Sequence, residues 1–229
     1  MKAFQIGTQQ GLDSLTAIMR PEPVAGAGEV IVAPRLVSLI SRDVQILRGL
    51  YGALQAPERI PVSEGVGEVV AVGEGVSQVQ PGDRVICGHF PSWLEGKFSP
   101  RVFAHDVGVS HDGWLAEKVV LPAAALIRVP AALADADAAV NGRIAVIGVT
   151  LGQRSPIPDY VSLILKNVTI RGIANGSREM FLDLIRAIES NGIQTVVAKT
   201  FTFDEAPEAF AFFAPAQHLG KVLIGFDRR

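Results

Sequence analysis

The chain has 229 residues, of which 48% are hydrophobic and 19% charged, and its formal net charge is −2 at pH 7. This composition is typical of a globular protein with one large or two small domains, and the near-neutral charge argues against a nucleic-acid partner. A single cysteine, Cys87, excludes an internal disulfide framework and favours the cytoplasm, and we expect neither a signal peptide nor a membrane span.

Up to about Pro130 the sequence consists of short strand-like segments separated by Gly and Pro residues. Residues 28–34 and 68–73 predict two strands. Between them, residues 41–49 predict a short helix that begins at a Ser and ends at a Gly. This part of the chain therefore predicts a compact, mainly β unit.

After Pro130 the pattern changes to alternating helices and buried strands. Residues 131–140 are rich in Ala and predict a helix. Two largely apolar segments, 142–148 and 168–173, predict strands of a parallel sheet buried on both faces. Residues 177–190 predict an amphipathic helix. The tail predicts a strand, a helix and a strand over residues 196–203, 204–214 and 221–226.

Three sequence blocks follow one another in the first half of the chain, over residues 65–76, 81–85 and 113–120. The second block alone, Pro-Gly-Asp-Arg-Val, would indicate only a turn between strands. In this order and at this spacing the blocks resemble the medium-chain dehydrogenase/reductase superfamily, most closely its zinc-free, quinone oxidoreductase-like branch. The match extends over nearly the whole chain.

The resemblance implies a mainly β fold with some α structure. It predicts a GroES-like β-barrel domain plus a residual two-stranded α/β remnant of a Rossmann domain. The expected divisions are a substrate domain over 1–140, a truncated Rossmann remnant over 141–192, and a return to the first domain over 193–229.

By this resemblance, the nucleotide-binding half of the protein is incomplete. Residues 142–148 and 168–173 match the fifth and sixth strands of that half, whereas the first four strands and the phosphate-binding glycine turn are missing. Full-length relatives use NADP, but we expect no cofactor here, or only weak binding. The residual cofactor-side positions implied by the resemblance are Gly148, Val149, Ala174, Asn175 and Lys221.

The zinc-ligand positions of the family are also altered. Zinc-dependent relatives place a Cys before the short helix and a His-Glu pair after the next loop, and here these positions hold Ile40 and Ser63-Glu64. Ile cannot bind zinc and Ser is a poor ligand, so we expect no metal.

Six side chains are expected to face the former substrate cleft: Ser41, Tyr51, Ser63, Glu64, His89 and Trp93. Glu64 is the best candidate for a general acid or base, because apolar surroundings raise the pKa of a carboxyl group toward the working pH. A hydrogen-bonded structural carboxylate explains Glu64 equally well, and ordinary packing explains His89, Tyr51 and Trp93. Cys87 and His89, two residues apart, are predicted to share one face of a strand.

Three functions remain open at this point. The first is an oxidoreductase relative that has been reduced to its substrate domain and cannot transfer hydride by itself. The second is a cofactor-independent cyclase, isomerase or dehydratase that acts on a small organic molecule in the emptied cleft. The third is a non-catalytic binding module. We expect a homodimer joined through residues 168–173, because the sixth strand pairs with its symmetry mate in dimeric relatives.

Overall fold

The computed structural model describes residues 1–135 and 176–226. The segments 142–148 and 168–173, for which strands were predicted, lie outside the described residues. Over the described residues the helices and strands, numbered in chain order, are β1 Lys2–Gln5, β2 Thr16–Met19, β3 Glu29–Ser38, α1 Ser41–Leu47, β4 Glu64–Val72, β5 Arg84–Cys87, β6 Val119–Pro122, β7 Leu126–Arg128, α2 Arg178–Asn191, β8 Val197–Thr202, α3 Ala206–Phe213 and β9 Lys221–Gly225.

A mixed sheet with β3 at its centre organises the fold. The strands follow the order β7-β5-β4-β3-β9-β8, and β6 also pairs with β3. The pairing of β8 with β9 is parallel, whereas β3 pairs antiparallel with β4, β6 and β9. Because β9 pairs with β3, the C-terminal part of the chain joins the sheet that the N-terminal half begins.

The main core lies on the inner face of this sheet. Trp114 is fully buried, and a Cβ atom added at Gly65 would lie 2.6 Å from its ring. Glycine at position 65 is therefore what allows the indole to pack against β4. Each large side chain buried in this way contributes roughly 1.5–3 kcal/mol. Other fully buried side chains of this core include Ile6, Leu39, Ile46, Leu47, Leu115, Leu121 and Phe210.

Helix α2 is stabilised at both ends by its caps and packs against the sheet through one apolar face. The Ser177 side chain accepts a hydrogen bond from the Met180 amide at 3.2 Å, and Gly192 ends the helix with φ 60°. The buried face of the helix packs on residues of β4, β5 and β7 in a second cluster that contains Val66, Ile86, Ile127, Phe181, Ile185 and Ile188.

Two local predictions need correction. The helix predicted over 131–140 does not include residues 131–133, which form a turn, because the Leu133 amide bonds to the Pro130 carbonyl and Arg84 donates to both of those residues' carbonyls. Asp135 is helical, and residues 136–140 lie outside the described residues. His89 does not share a strand with Cys87, since β5 ends at Cys87. Within the described ranges, no helix is long and apolar enough to cross a membrane.

Candidate functional site

A cluster of buried polar side chains lies where α1, the start of β4 and the loop after β5 meet. No member of this polar cluster is more than 7% exposed. Such burial of charge is stable only where the groups pair with one another. The polar cluster consists of Arg42, Asp43, Ser63, Glu64, His89 and Asp106.

Arg42 is the centre of the polar cluster. Its guanidinium contacts both carboxylate oxygens of Asp106, at 3.1 and 2.8 Å, and donates to the Val107 carbonyl at 2.6 Å. Its Nε donates to the Ser63 hydroxyl at 2.8 Å. The Tyr51 ring lies 5.8 Å from the guanidinium carbon. Arg42 is therefore a permanently charged, multiply bonded cation inside the protein.

Asp43 lies on the other side of the Ser63 hydroxyl. Its carboxylate accepts hydrogen bonds from the Ile40 amide at 2.9 Å and from Ser63 Oγ at 3.3 Å. Burial raises the pKa of Asp43 to about 7, although the charge of Arg42 opposes the shift. Asp43 therefore titrates near neutral pH.

Glu64 and His89 form a direct buried contact. His89 Nε2 lies 2.8 Å from Glu64 Oε1, and Lys221 Nζ lies 3.8 Å from Glu64 Oε2. Burial, together with the charge of Arg42, lowers the pKa of His89 even though Glu64 acts against this. His89 is thus neutral at pH 7. Either the imidazole donates to the carboxylate or a protonated Glu64 donates to the ring nitrogen, and moving one proton interconverts the two arrangements.

The backbone just before Ser63 and Glu64 is unusual. Val62 is fully buried and has φ 73°, a left-handed conformation that β-branched residues rarely adopt. The Trp114 amide donates to the Val62 carbonyl at 2.8 Å, and a Cβ at Gly113 would lie 2.3 Å from that same oxygen. Close backbone packing against residues 113–114 therefore holds Ser63 and Glu64 in place, at a cost of about 1–3 kcal/mol in strain.

A cavity of about 500 Å³ opens beside the polar cluster. Lys221, which forms the ion pair with Glu64, is part of its wall and connects the two features. We call this space the Lys221 cavity. It is lined by Leu39, Ile40, Ser41, Thr195, Val196, Phe213, His218, Gly220 and Lys221.

The structure brings some of the predicted site residues together and separates others. Glu64 and His89 touch, Ser63 and Tyr51 both contact Arg42, and Ser41 lines the Lys221 cavity. Trp93 instead packs with Phe90 and Val102, and its indole donates to the Gly96 carbonyl at 3.1 Å. The cofactor-side positions Gly148, Val149, Ala174 and Asn175 lie outside the described residues.

Asp106 is a member of the polar cluster to which no sequence motif pointed. It is 1% exposed and pairs with Arg42, which lies 64 positions earlier in the chain. No local spacing connects two residues so far apart, so only the folded chain shows the pair. The sequence offered only a weak signal, a single carboxylate between Val102 and Val107. Both of these valines are buried in the structure.

The zinc-ligand positions do not fit a catalytic zinc. The side chain of Ile40 cannot coordinate metal, and the Ser63 hydroxyl is already bonded to Arg42 and Asp43. In the described parts of the chain, no three His, Cys, Asp or Glu side chains are grouped so as to hold a metal ion. A buried guanidinium beside Ser63 would also repel a metal cation.

The described residues do not by themselves form a dinucleotide site. Of the cofactor-side positions, only Lys221 is described, and its ammonium group lies 3.8 Å from Glu64 in a long ion pair. One lysine does not replace a glycine-rich turn whose backbone amides bind the pyrophosphate.

Comparisons with known proteins agree with this fold. The alcohol dehydrogenase GroES-like domain matches residues 26–131, and the zinc-binding dehydrogenase family matches residues 118–224. A zinc-type alcohol dehydrogenase-like protein of Schizosaccharomyces pombe is 25% identical over 87% of this chain and 91% of its own length. Acryloyl-coenzyme A reductase of Metallosphaera sedula is 32% identical over 59% of this chain and 42% of its own length.

Solved structures show the same architecture. A protein of Sinorhizobium meliloti 1021 assigned as an alcohol dehydrogenase superposes with a TM-score of 0.82 at 24% identity, over 98% of this chain and 99% of that one. A thermostable alcohol dehydrogenase of Pyrobaculum aerophilum gives a TM-score of 0.78 at 16% identity, over 98% and 100% of the two chains. At these identities the likeness establishes the fold.

The chain belongs to the medium-chain dehydrogenase/reductase superfamily, and its fold is a GroES-like domain with partial Rossmann-like strands, as predicted. It is shorter than its relatives. The alignment with the S. pombe protein spans 319 positions, whereas this chain has 229 residues. Several other curated relatives match over less than half of their own length.

Proposed function

We propose that this protein is a medium-chain dehydrogenase/reductase reduced to its substrate half, without catalytic zinc, and that it does not transfer hydride by itself. The supporting observation is the short stretch between the barrel and α2. Only residues 136–175 separate the described part that ends at Asp135 from the part that contains α2. A βαβ unit takes roughly 30 residues, so this segment has room for about one such unit.

The division into residues 1–140, 141–192 and 193–229 belongs to this proposal, as does a cytoplasmic location, which rests on the single buried cysteine. The remaining function would concern a small organic molecule bound beside the polar cluster.

Hydride transfer is tested directly by following NADPH and NADH absorbance with aldehydes, enones and quinones. We expect no turnover above the rate without protein. The P. aerophilum alcohol dehydrogenase, whose name states its activity, serves as the positive control. Turnover by this chain that scales with protein concentration would overturn the proposal.

A second candidate function is acid–base catalysis without a cofactor. The contact of 2.8 Å between Glu64 and His89 supports it, because the pair can accept a proton from a carbon acid and return it. In such a step the base removes a proton from the carbon next to a carbonyl and leaves an enolate. The pair then exchanges that proton with solvent, or delivers it to another position of the enolate or to a departing hydroxyl group, which leaves as water. Isomerisation, cyclisation and dehydration all begin in this way.

Deuterium exchange tests this candidate function without requiring that the natural substrate be known. Small ketones and aldehydes are incubated with the protein in D₂O, and NMR follows exchange at the carbon next to the carbonyl. Glu64→Gln keeps an acceptor for His89 but cannot take the proton, so we expect exchange to slow by about 10²-fold or more. Glu95→Gln changes an exposed glutamate and is the matched control. Equal rates for wild type and Glu64→Gln would remove acid–base catalysis at this pair.

A further inference from the structure

The Lys221 cavity has an apolar wall on which a ligand body could pack. Leu39 and Ile40 line it before α1, Val196 lines it before β8, and Phe213 lines it at the end of α3. Its volume of about 500 Å³ falls in the range of small-molecule sites, roughly 300–1,000 Å³. A hydrocarbon chain or ring of moderate size would be partly desolvated against this wall.

Lys221 gives the cavity a charged end. Its nearest charged partner among the described residues is Glu64, at 3.8 Å, which is longer than a hydrogen bond. Within those same parts of the chain its ammonium group donates no hydrogen bond, and its side chain is 24% exposed. The three N–H donors of the ammonium are therefore available to a ligand that enters the cavity.

The remaining polar groups of the wall also suit an anion. Ser41 contributes a hydroxyl, which can donate to a carboxylate. The His218 ring packs between Phe212 and Phe213, with ring centroids 5.7 and 4.9 Å away. Among the described residues, the carboxylate that faces Lys221 is Glu64, which also contacts His89 at 2.8 Å. A ligand carboxylate would therefore compete with a long ion pair and would not have to break a hydrogen bond.

We propose that the Lys221 cavity binds a small organic carboxylate, with its charged group on Lys221 and Ser41 and its apolar body against Ile40, Val196 and Phe213. Lys221 is a cofactor-side position by resemblance, but the described lining supplies one cation and no glycine turn, and so suits a carboxylate better than a dinucleotide. This proposal goes beyond the proposed function, which concerns the absence of hydride transfer. It also does not depend on whether Glu64 and His89 are catalytic.

Calorimetry with hexanoate and its neutral analogue hexanamide tests the proposal on the full chain. We expect wild type to bind hexanoate with a Kd below about 10 mM and hexanamide at least about tenfold more weakly, because a charge-assisted hydrogen bond is lost. Lys221→Met should weaken hexanoate binding by about tenfold or more, while Lys221→Arg should keep it within about threefold. Lys97→Met changes an exposed lysine away from the cavity and should leave Kd unchanged.

Three results of these titrations would each overturn the site, and a fourth comes from competition with NADPH. The three are no hexanoate binding by wild type, equal binding of hexanoate and hexanamide, and equal binding by wild type and a folded Lys221→Met. Thermal unfolding of each variant confirms that it is folded, and Lys221→Arg supplies the comparison if Lys221→Met is not. NADPH is then added as a competitor. Displacement of hexanoate by micromolar NADPH would make this space a cofactor site and overturn the proposal, whereas no displacement supports it.

Discussion

Arg42 holds more of the polar cluster together than any other single side chain. Replacing it by Met leaves the 1% exposed Asp106 carboxylate without its cation. Removing one partner of a buried pair typically costs about 3–5 kcal/mol, and we expect that loss in the free energy of unfolding measured with urea. Arg186→Met is the control, because Arg186 and Asp183 are both about two-thirds exposed and such pairs contribute less than about 1 kcal/mol. A loss below about 1 kcal/mol for Arg42→Met would contradict this role.

Asp43 makes the stability of the protein depend on pH. Its pKa is raised to about 7 in the folded state, so folding favours its protonated form. The resulting stabilisation is complete below the ordinary Asp pKa and is lost as the pH rises through about 7. The loss is about 1.4 kcal/mol for each unit by which the pKa is raised.

Asp43→Asn removes this titration and keeps a carbonyl acceptor for the Ile40 amide. We therefore expect the stability of Asp43→Asn, measured relative to wild type, to improve steadily as the pH rises from about 4 to about 7. His89, with its lowered pKa, changes stability in the opposite direction, but its effect is common to both proteins and cancels in the difference. A difference between the two proteins that stays constant across this pH range would show that Asp43 is ionised throughout.

At the residue scale, the sequence predicted the candidates that lie in recognisable motifs. Ser63 and Glu64 occupy a known family position, and the structure places both in the polar cluster. The contact of Glu64 with His89 and the pair of Arg42 with Asp106 join distant segments, so no pattern in the sequence could reveal them. Trp93 was predicted to face the cleft because it lies in the same loop as His89. In the structure its indole N–H donates a hydrogen bond to a carbonyl within that loop instead.

At the element scale, the bounds of α2 were predicted more closely than the bounds of strands β3 and β4. The helix predicted over 177–190 is α2, Arg178–Asn191, because its Ser cap and its terminal Gly act within a few residues. Strands β3 and β4 run further than predicted, since Ser38 pairs with Glu64 across the sheet. Strand ends depend on partners distant in the chain, whereas helix caps do not.

Helix α2 is expected to unfold together with the barrel. Ile185 is 2% exposed and packs in the cluster that contains Val66 and Ile127. We expect Ile185→Ala to lower the free energy of unfolding by about 2–5 kcal/mol in a single transition. Glu189→Ala, at an exposed position on the same helix, should change it by less than about 0.5 kcal/mol. A separate early transition seen only in Ile185→Ala would show instead that α2 is an independent unit.

At the scale of the whole molecule, a homodimer through residues 168–173 remains a prediction, because those residues lie outside the described ranges. A short sheet with an apolar edge is an aggregation site unless that edge is paired or covered. Light scattering should give a dimer for wild type and a monomer for Ile170→Pro, which removes a ladder donor. Either a wild-type monomer or a folded Pro variant that is still dimeric rules out this interface.

The sequence defined the layout of the molecule through three family blocks and through the absence of a phosphate-binding turn. It did not indicate how the C-terminal segment completes the sheet, which became clear only from the pairing of β9 with β3. That pairing joins residues 185 to 189 positions apart, from Ser38 with Leu223 to Leu36 with Gly225, and at such a separation sequence patterns carry no pairing information.

The most direct measurement is a calorimetric titration of the purified chain with NADPH and with NADH, with nicotinamide fluorescence as a second readout. Because the glycine turn that binds the pyrophosphate is missing, we predict a Kd weaker than about 100 µM for both nucleotides. The P. aerophilum alcohol dehydrogenase, titrated in the same buffer, gives the reference affinity. Low-micromolar binding of either nucleotide to this chain would contradict its reduction to a substrate half.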